Sequence, residues 1–335
     1  MPEVPDAGAP AAPEVSIIVP HLNQPELLAI LLESLFAQDL DMARAEVIVV
    51  DNGSRALPEA VVAGFPGVLL AEEATPGAGP ARNRGVALSR APILAFTDGD
   101  CRVDRAWLAT ILRHFAADPD LDILGGDIRL FPEDPANPSA AEAFECVYAF
   151  PQTLYIFRKG YSVTANMATR RRVFDAVGPF AGIEISEDLD WGRRARALGH
   201  LTRWRPDAIV LHPARRTMDD LRAKTDRLVS YDFRSDAVGL AGRVRWVVKA
   251  LALGVSPAAE IPRLLRTDRL AGFRSRRLAF RGLAGIRLYR ARRMLEALVS
   301  EEVRAGSTRW NRGDRGMADG ALRPAGGGDR PDTGG

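Results

Sequence analysis

Two hydrophobic periodicities alternate along the first two hundred residues of the chain. Short runs of aliphatic and β-branched residues predict strands at Val15–Pro20, Glu46–Val50, Val68–Ala71 and Ile93–Thr97. Between them, apolar residues three or four positions apart predict helices at Pro25–Gln38 and Arg82–Ser89. Such alternation predicts an α/β fold: a doubly wound, mostly parallel sheet with helices on both faces.

The alternation continues after Asp100. Further helices are predicted at Arg105–Ala117, Arg171–Val177 and Glu187–Leu198, and further strands at Leu121–Gly125, Thr164–Ala168 and Ala208–Leu211. We therefore expect an α/β domain over residues 15–215 and a basic helical extension over 216–304. A disordered leader over 1–14 and a disordered tail over 305–335, rich in Gly, Arg, Asp and Pro, are expected to flank them.

Composition narrows the class of protein. The 335 residues are 47% hydrophobic and 26% charged, as in soluble globular proteins, and no stretch reaches the roughly 20 apolar residues of a membrane helix. The two cysteines, Cys101 and Cys146, form neither a disulfide framework nor a zinc-ligand pattern. The first residues are acidic and contain proline, unlike a secretion signal. These features predict a cytoplasmic protein.

The most informative stretch is Asp98-Gly99-Asp100, which directly follows the predicted strand Ile93–Thr97. In α/β sheets, ligands bind beyond the carboxyl ends of the strands. Two carboxylates there repel each other unless a cation neutralises them, and oxygen ligands suit Mg²⁺ or Mn²⁺. A turn stabilised by aspartates is the structural alternative. A phosphatase of the haloacid dehalogenase type, with Asp98 as nucleophile, is the chemical alternative.

Other polar clusters follow the neighbouring elements. Asp51 opens the turn Asp-Asn-Gly-Ser, either as a plain turn or as an acid that binds a nucleoside. The segment 76–85 contains three glycines and Arg82, which suits either a flexible loop or close approach to an anionic partner. Ser186 begins a helix with Glu187 and Asp188 in its first turn, a plain helix start that also supplies candidate general bases.

Taken together, these motifs resemble the family 2 glycosyltransferases. The resemblance depends on VSIIVP at 15–20, VVDNGS at 49–54, the 79–85 segment, TDGD at 97–100 and SED at 186–188, in this order and spacing. It covers about residues 15–213. It implies the GT-A fold, a nucleotide-sugar donor, a hydroxyl of a glycan or lipid-linked acceptor, and inversion at the anomeric carbon with Mg²⁺ or Mn²⁺ as cofactor.

The resemblance also implies roles for individual positions. Asp188 corresponds to the general base, with Glu187 beside it. The expected donor-binding residues are Pro20, Asn23, Asp51, Arg82 and Asp98. The expected metal ligands are Asp100, Asp98 and His212, although His212 also suits a capping or surface histidine. The expected acceptor-side residues are Asn166 and Met167. Trp191, one helical turn from Glu187 and Asp188, is a further acceptor-side candidate that equally suits core packing.

Basic and apolar residues interleave in the C-terminal extension. The segments are 243–246, 263–266, 274–277 and 287–290. This pattern suits helices lying on the anionic inner face of a membrane, and it equally suits solvated helices packed on the catalytic domain. No recognition motif for nucleic acid accompanies the charge. A non-catalytic protein that binds glycans or membranes is a further alternative to the enzyme.

Overall fold

The computed structural model describes residues 12–183 and 185–305 of the chain. Its strands are β1 (Val15–His21), β2 (Ala45–Asp51), β3 (Val68–Glu72), β4 (Ile93–Phe96), β5 (Arg102–Val103), β6 (Ile123–Phe131), β7 (Met167–Arg170) and β8 (Thr202–Pro213). Its helices are α1 (Pro25–Phe36), α2 (Glu59–Val62), α3 (Ala78–Leu88), α4 (Trp107–Ala117), α5 (Ala140–Tyr148), α6 (Gln152–Leu154), α7 (Arg171–Val177), α8 (Glu187–Ala197), α9 (Met218–Asp236), α10 (Gly239–Val255), α11 (Ile261–Arg266), α12 (Gly272–Glu296) and α13 (Glu301–Ala305). The predicted leader and tail lie outside the described residues, apart from residues 12–14 and 305.

The strands form one mixed sheet with the order β3-β2-β1-β4-β7-β6-β8-β5. Strands β1, β2, β3 and β4 pair in parallel, whereas β7 runs antiparallel to both β4 and β6, and β8 is parallel to β6. Because β7 is antiparallel to both of its neighbours, β6 runs in the same direction as β4, and β8, which is parallel to β6, does so too. The carboxyl ends of β2, β4 and β8 therefore meet at one edge of the sheet.

Strand β1 shows why helices cover both faces. Its side chains alternate between the faces, so Ile17 joins a core with helices α1 and α4, while Ile18 joins a second core with α3, α7 and α8. All of β1 except Pro20 is buried, as expected for a parallel strand covered on both sides. The mostly parallel sheet with helices on both faces, predicted from the sequence, is confirmed.

The glycine-rich segment 76–85 differs from its prediction. Helix α3 begins at Ala78 rather than at Arg82, so Gly79 and Gly85 lie inside the helix and not in a loop. A Cβ at Gly79 would lie 2.1 Å from the carbonyl oxygen of Ala181, and one at Gly85 would lie 2.5 Å from a methyl of Ile18. These glycines therefore allow α3 to approach the sheet and the segment that precedes α8.

The C-terminal helices pack on the α/β domain through α12. This helix contacts α5, α9 and α10, and Gly282 lies so close to α5 that a Cβ would be 2.3 Å from the carbonyl oxygen of Ala140. Helix α9 starts at Met218, close to the predicted boundary at residue 215. Among the described residues, no helix is both long and apolar enough to span a bilayer.

Candidate active site

Asp100 and His212 face each other at the carboxyl edge of the sheet. The Nε2 atom of His212 lies 3.6 Å from Oδ1 of Asp100. Because Nδ1 of His212 donates to the carbonyl oxygen of Pro213 at 2.8 Å, Nε2 carries the lone pair in the neutral ring. Burial raises the pKa of Asp100; His212 opposes this rise and Asp98 adds to it. Two lone-pair groups this close together fit a divalent cation between them.

Cys101 belongs to the same cluster. Its Sγ and the donor atoms of Asp100 and His212 all lie within 4.8 Å of one another. Burial, with the charges of Asp100 and Asp98, raises the pKa of the Cys101 thiol well above its usual range. A protonated thiol is a poor ligand for a hard cation. The predicted ligands Asp100 and His212 thus lie in this cluster, whereas Asp98 lies outside it and pairs with Arg82.

Arg82 joins two acids that are distant in sequence. One of its nitrogens donates to Asp98 at 2.6 Å and another donates to Glu187 at 2.9 Å. The Arg82 side chain is 3% exposed, and its buried Nε has no hydrogen-bond partner among the described residues. The planar fork of arginine suits two carboxylates at once. Arg82 therefore connects the end of β4 to the start of α8.

Asp188 lies in the first turn of α8, next to this ion pair. Burial raises the pKa of Asp188 to about 6, and the charge of Glu187 acts in the same direction. The Ser186 hydroxyl and the Leu189 amide, each donating at 2.7 Å, oppose this rise. A carboxylate with this proton affinity is suited to general base chemistry near neutral pH.

Two stacked tyrosines lie near Asp188. The rings of Tyr155 and Tyr161 have centroids 5.1 Å apart. Burial raises the pKa of Tyr155 to about 12 and that of Tyr161 further, and the charge of Asp188 contributes to both rises. Burial, which is the main cause of the raised pKa of Asp188, therefore also acts on the two phenols beside it.

Asp51 is buried at the end of β2. Its Oδ1 accepts from the amides of Gly53 and Ser54 at 3.0 and 2.9 Å, and its Oδ2 lies 2.9 Å from Nδ1 of His21. Burial acts to raise the pKa of Asp51, but these hydrogen bonds outweigh it and lower the pKa. The hydrogen bonds from Gly53 and Ser54 show that the turn predicted from the sequence is present. Contact between Asp51 and a nucleoside stays a prediction.

The expected donor-side residues Asn23 and Pro20 frame the same edge. Asn23 adopts a φ of 55°, and its side chain accepts from the amide of Arg55 at 2.8 Å, which holds the loops after β1 and β2 together. Pro20 lies at the end of β1, where a Cβ on Gly99 would be 3.0 Å from its carbonyl oxygen. Glycine at position 99 thus brings Asp98 and Asp100 close to the end of β1.

The three expected acceptor-side residues lie in the interior. Asn166, Met167 and Trp191 are at most 2% exposed. The Asn166 side chain accepts from Trp107 and donates to two main-chain carbonyl oxygens. Trp191 packs against Phe174, and its Nε1 donates to the carbonyl oxygen of Gly178. These side chains pack in the core, as the sequence also allowed for Trp191, and contact of the three residues with an acceptor stays a prediction.

Sequence reasoning missed a buried charge cluster behind His212. Glu145 of α5 is 1% exposed and accepts from Arg215 at 2.8 Å and from Lys224 at 3.4 Å. Burial and Arg215 lower the pKa of Lys224 to about 8 despite the attraction of Glu145. The Lys224 ammonium also lies 5.2 Å from the ring centroid of Phe150, which contacts the His212 ring.

Two arginines extend this cluster toward the predicted catalytic acids. Arg215 is near enough to Asp100 to act on the pKa of that carboxyl. Arg227 interacts electrostatically with Arg215 and with Glu187, and burial lowers its pKa. Cations from the β8–α9 region therefore act on the acids that follow β4 and begin α8. The only feature of the sequence that could have indicated these cations is the Arg215-Arg216 pair just after β8.

Comparison with known proteins decides the family. The sequence model of glycosyl transferase family 2 matches residues 16–185, about half of the chain. The chain belongs to this family. Glycosyltransferase AglE of Haloferax volcanii is 31% identical to it over 209 residues, which are 61% of this chain and 68% of AglE. An uncharacterized glycosyltransferase of Escherichia coli, YibD, is 29% identical over 114 residues, 33% of this chain and 32% of YibD.

Solved structures share the fold of this glycosyltransferase. The mannosyltransferase PcManGT of Pyrobaculum calidifontis, in complex with GDP-Man and Mn²⁺, has a TM-score of 0.56 at 18% identity and covers 90% of this chain and 92% of its own. S. aureus TarS 1–349 in complex with UDP-GlcNAc has a TM-score of 0.50 at 16% identity, covering 82% and 90%. The expected GT-A fold is confirmed. The phosphatase and non-catalytic alternatives are not supported.

Proposed function

We propose that this glycosyltransferase moves a sugar from a nucleoside-diphosphate donor to a hydroxyl of a glycan or lipid-linked acceptor, with metal assistance and inversion. The observation that carries the proposal is the meeting of Asp100 and His212 at the sheet edge. Arg82 bonds Asp98 and Glu187, the neighbours of Asp100 and Asp188 in the chain, and so holds the start of α8 against the end of β4. The PcManGT and TarS complexes contain nucleotide sugars, GDP-Man and UDP-GlcNAc, in proteins of the same fold.

The donor would lie along the carboxyl ends of β1, β2 and β4. Asp51 has a carboxylate held ionised by hydrogen bonds, as required to accept from the base or ribose. Asp100 and His212 would hold Mg²⁺ or Mn²⁺ at the diphosphate. When bound, the ion supplies positive charge where the leaving group becomes negative. Arg82 neutralises Asp98, which lowers the repulsion between Asp98 and the donor phosphates.

Asp188 would act as the general base. It removes the proton of the acceptor hydroxyl while that oxygen forms a bond to the anomeric carbon, and the bond from this carbon to the diphosphate oxygen breaks. Since attack comes from the face opposite the leaving group, one displacement converts an α-linked donor into a β-linked product. The pKa of about 6 leaves Asp188 mostly ionised at neutral pH and still basic.

The cations behind His212 would stabilise the departing diphosphate. Arg215 and Arg227 lie on the side of the site that faces Asp100 and Glu187, and Lys224 adds a third charge. Preorganised cations at a poorly solvated site stabilise developing negative charge more than water does. The two sides of the site thus have complementary tasks: acids hold the metal and the acceptor proton, and cations receive the leaving group.

A two-step experiment tests the proposal. Thermal-shift measurements with nucleoside diphosphates and Mn²⁺ identify the base that stabilises the protein. Nucleotide-sugar turnover is then measured with glycan and lipid-linked acceptors, and NMR of the anomeric proton gives the product configuration. We expect release of the nucleoside diphosphate and a β-linked product from an α-linked donor. Retention of configuration, or turnover unaffected by removal of divalent metal, contradicts the proposal.

A further inference from the structure

Helix α10 presents a continuous apolar stripe to solvent. Its members recur at helical spacing: Leu240, Val244, Val248, Leu251 and Val255. Their exposed fractions lie between 56% and 82%. At 3.6 residues per turn they span about 80° of the helix circumference. Single exposed apolar side chains are ordinary, but five along one helical line form a patch of the kind that marks an interaction surface.

The packing of α10 fixes this stripe on the outside. Gly242, Trp246 and Ala250 are buried on the opposite face of the helix. The indole Nε1 of Trp246 donates to the carbonyl oxygen of Met294 in α12 at 2.7 Å, and its ring meets Phe233 of α9 at 5.4 Å between centroids. Rotating the helix to hide the stripe would expose Trp246 and leave its N–H unpaired.

Cations flank the stripe on both sides. Arg243 lies beside one edge and Arg245 lies beyond the other. Lys249 lies farther round the helix and pairs with Asp236 of α9 at 3.0 Å. Helix α10 contains no acidic residue. Arg243 and Arg245 are exposed; Arg245 acts on the pKa of Asp236, and among the described residues Arg243 has no acidic partner. An apolar line with a cation beside each edge is the arrangement of a helix that lies in a membrane interface.

We infer that α10 docks this glycosyltransferase on an anionic lipid surface, with the stripe among the acyl chains and the flanking cations at the headgroups. This inference goes beyond the proposed reaction and does not depend on it. The sequence allowed either membrane contact or plain packing for the basic segments. The outward stripe favours membrane contact for 243–246, while Trp246 in that segment packs inward.

Two other partners that could cover the α10 stripe, a second copy of the chain and the C-terminal segment, fit it less well. In a symmetric contact between two copies, the α10 cations would face one another with no acid in the helix to pair with. The C-terminal segment 306–335 contains only three large apolar residues, Trp310, Met317 and Leu322, too few to cover five exposed positions. An anionic bilayer offers both the apolar phase and the opposite charge.

Vesicle co-sedimentation tests the inference with the full chain. Vesicles of phosphatidylcholine alone are compared with vesicles that also contain phosphatidylglycerol. We expect the wild-type chain to sediment with the anionic vesicles, with weaker binding at high salt. The double change Val244→Asp with Val248→Asp should lower the partition coefficient by about tenfold or more. Leu201→Asp, at a position 59% exposed between α8 and β8, is the matched control and should bind as wild type.

Separate readouts distinguish this inference from the proposed function. Thermal shift with nucleoside diphosphates and Mn²⁺ should be the same for the Val244/Val248 variant and the wild type, which also shows that the variant is folded. Failure of the wild type to bind anionic vesicles overturns the inference. So does a dimer, seen by light scattering, that the two aspartates dissociate.

Discussion

Arg82 donates a hydrogen bond of 2.9 Å to Glu187, although 105 residues separate them in the chain. The same guanidinium donates to Asp98 at 2.6 Å. Its side chain is almost fully buried, whereas the two carboxylates are partly exposed, at 31% and 27%. The arginine thus lies beneath the site and holds two of its acids at the surface.

Replacing Arg82 should destabilise the fold. Arg82→Ala leaves Asp98 and Glu187 close together without their shared cation, and removing one partner of a buried pair costs about 3 kcal/mol. Arg90→Ala removes an arginine that is 72% exposed and pairs with Glu46, so its cost should stay below about 1 kcal/mol. Urea unfolding measures both. Equal losses in the two variants would show that the Arg82 bridge has no special role in stability.

Variants can distinguish the proposed metal ligands, Asp100 and His212, from their neighbour Cys101. Asp100→Asn and His212→Ala should each weaken Mn²⁺ activation by about tenfold or more, because the first removes the negative charge of the carboxylate ligand and the second removes the imidazole nitrogen. Cys101→Ala removes the third atom of the cluster, but its thiol is protonated, so Mn²⁺ activation should be nearly unchanged. The measurement is turnover as a function of Mn²⁺ concentration. If Cys101→Ala weakens activation as much as His212→Ala, the thiol is a ligand.

The reaction should lose rate in acid. A general base works only when ionised, and the pKa of Asp188 is raised to about 6. Below that pH, kcat/KM should fall by about tenfold per unit, and above it the acid limb should level off. Asp188→Asn should lower kcat by about 10² to 10⁴-fold and remove this limb. A variant that retains wild-type turnover would exclude Asp188 as the base.

Asp188 should also cost stability at neutral pH. A carboxyl whose pKa is raised on folding favours the folded state while protonated, and this contribution is lost as pH rises through about 6. The melting temperature of Asp188→Asn, relative to that of the wild type, should therefore increase as the pH rises from the ordinary pKa of an aspartate, 3.8, to about 6, and then stay constant. Asp219→Asn, at a side chain that is 85% exposed, serves as the control and should show no such trend.

The glycine in the first turn of α3 should tolerate no side chain. Gly79→Ala places a methyl 2.1 Å from the carbonyl oxygen of Ala181, a contact that requires the main chain to move. We expect a loss of about 1–3 kcal/mol and weaker nucleotide-sugar turnover, because the displaced segment leads to α8. Gly182→Ala introduces a Cβ with nothing within 4 Å and should be nearly neutral. Calorimetry and turnover on both variants check this, and equal effects would contradict the steric argument.

Local pattern was enough to predict the layers of the domain. The runs at Val15–Pro20 and Ile93–Thr97 are apolar because both faces of those strands are covered, and such runs are visible in sequence. Helix α5 was not predicted, although Ser139 and Glu142 form a capping box at its start. The charged Glu145 interrupts the apolar pattern of this helix. It can be buried because it pairs with Arg215, a partner 70 residues away that local pattern does not reveal.

The sequence by itself determined the α/β layers, the family and the positions of the acids that follow β2 and β4 and begin α8. Only the tertiary structure decided which of them meet. The antiparallel strand β7 lies between β4 and β6, so that β8 runs parallel to β4 and its His212 lies beside Asp100. Arg82 pairs with both Glu187 and Asp98 and holds them close together. It also turned Asn166 and Trp191 inward and the α10 stripe outward. The physical reason is that periodicity reports which face of an element is buried, whereas strand direction and helix docking determine which residues share a cleft.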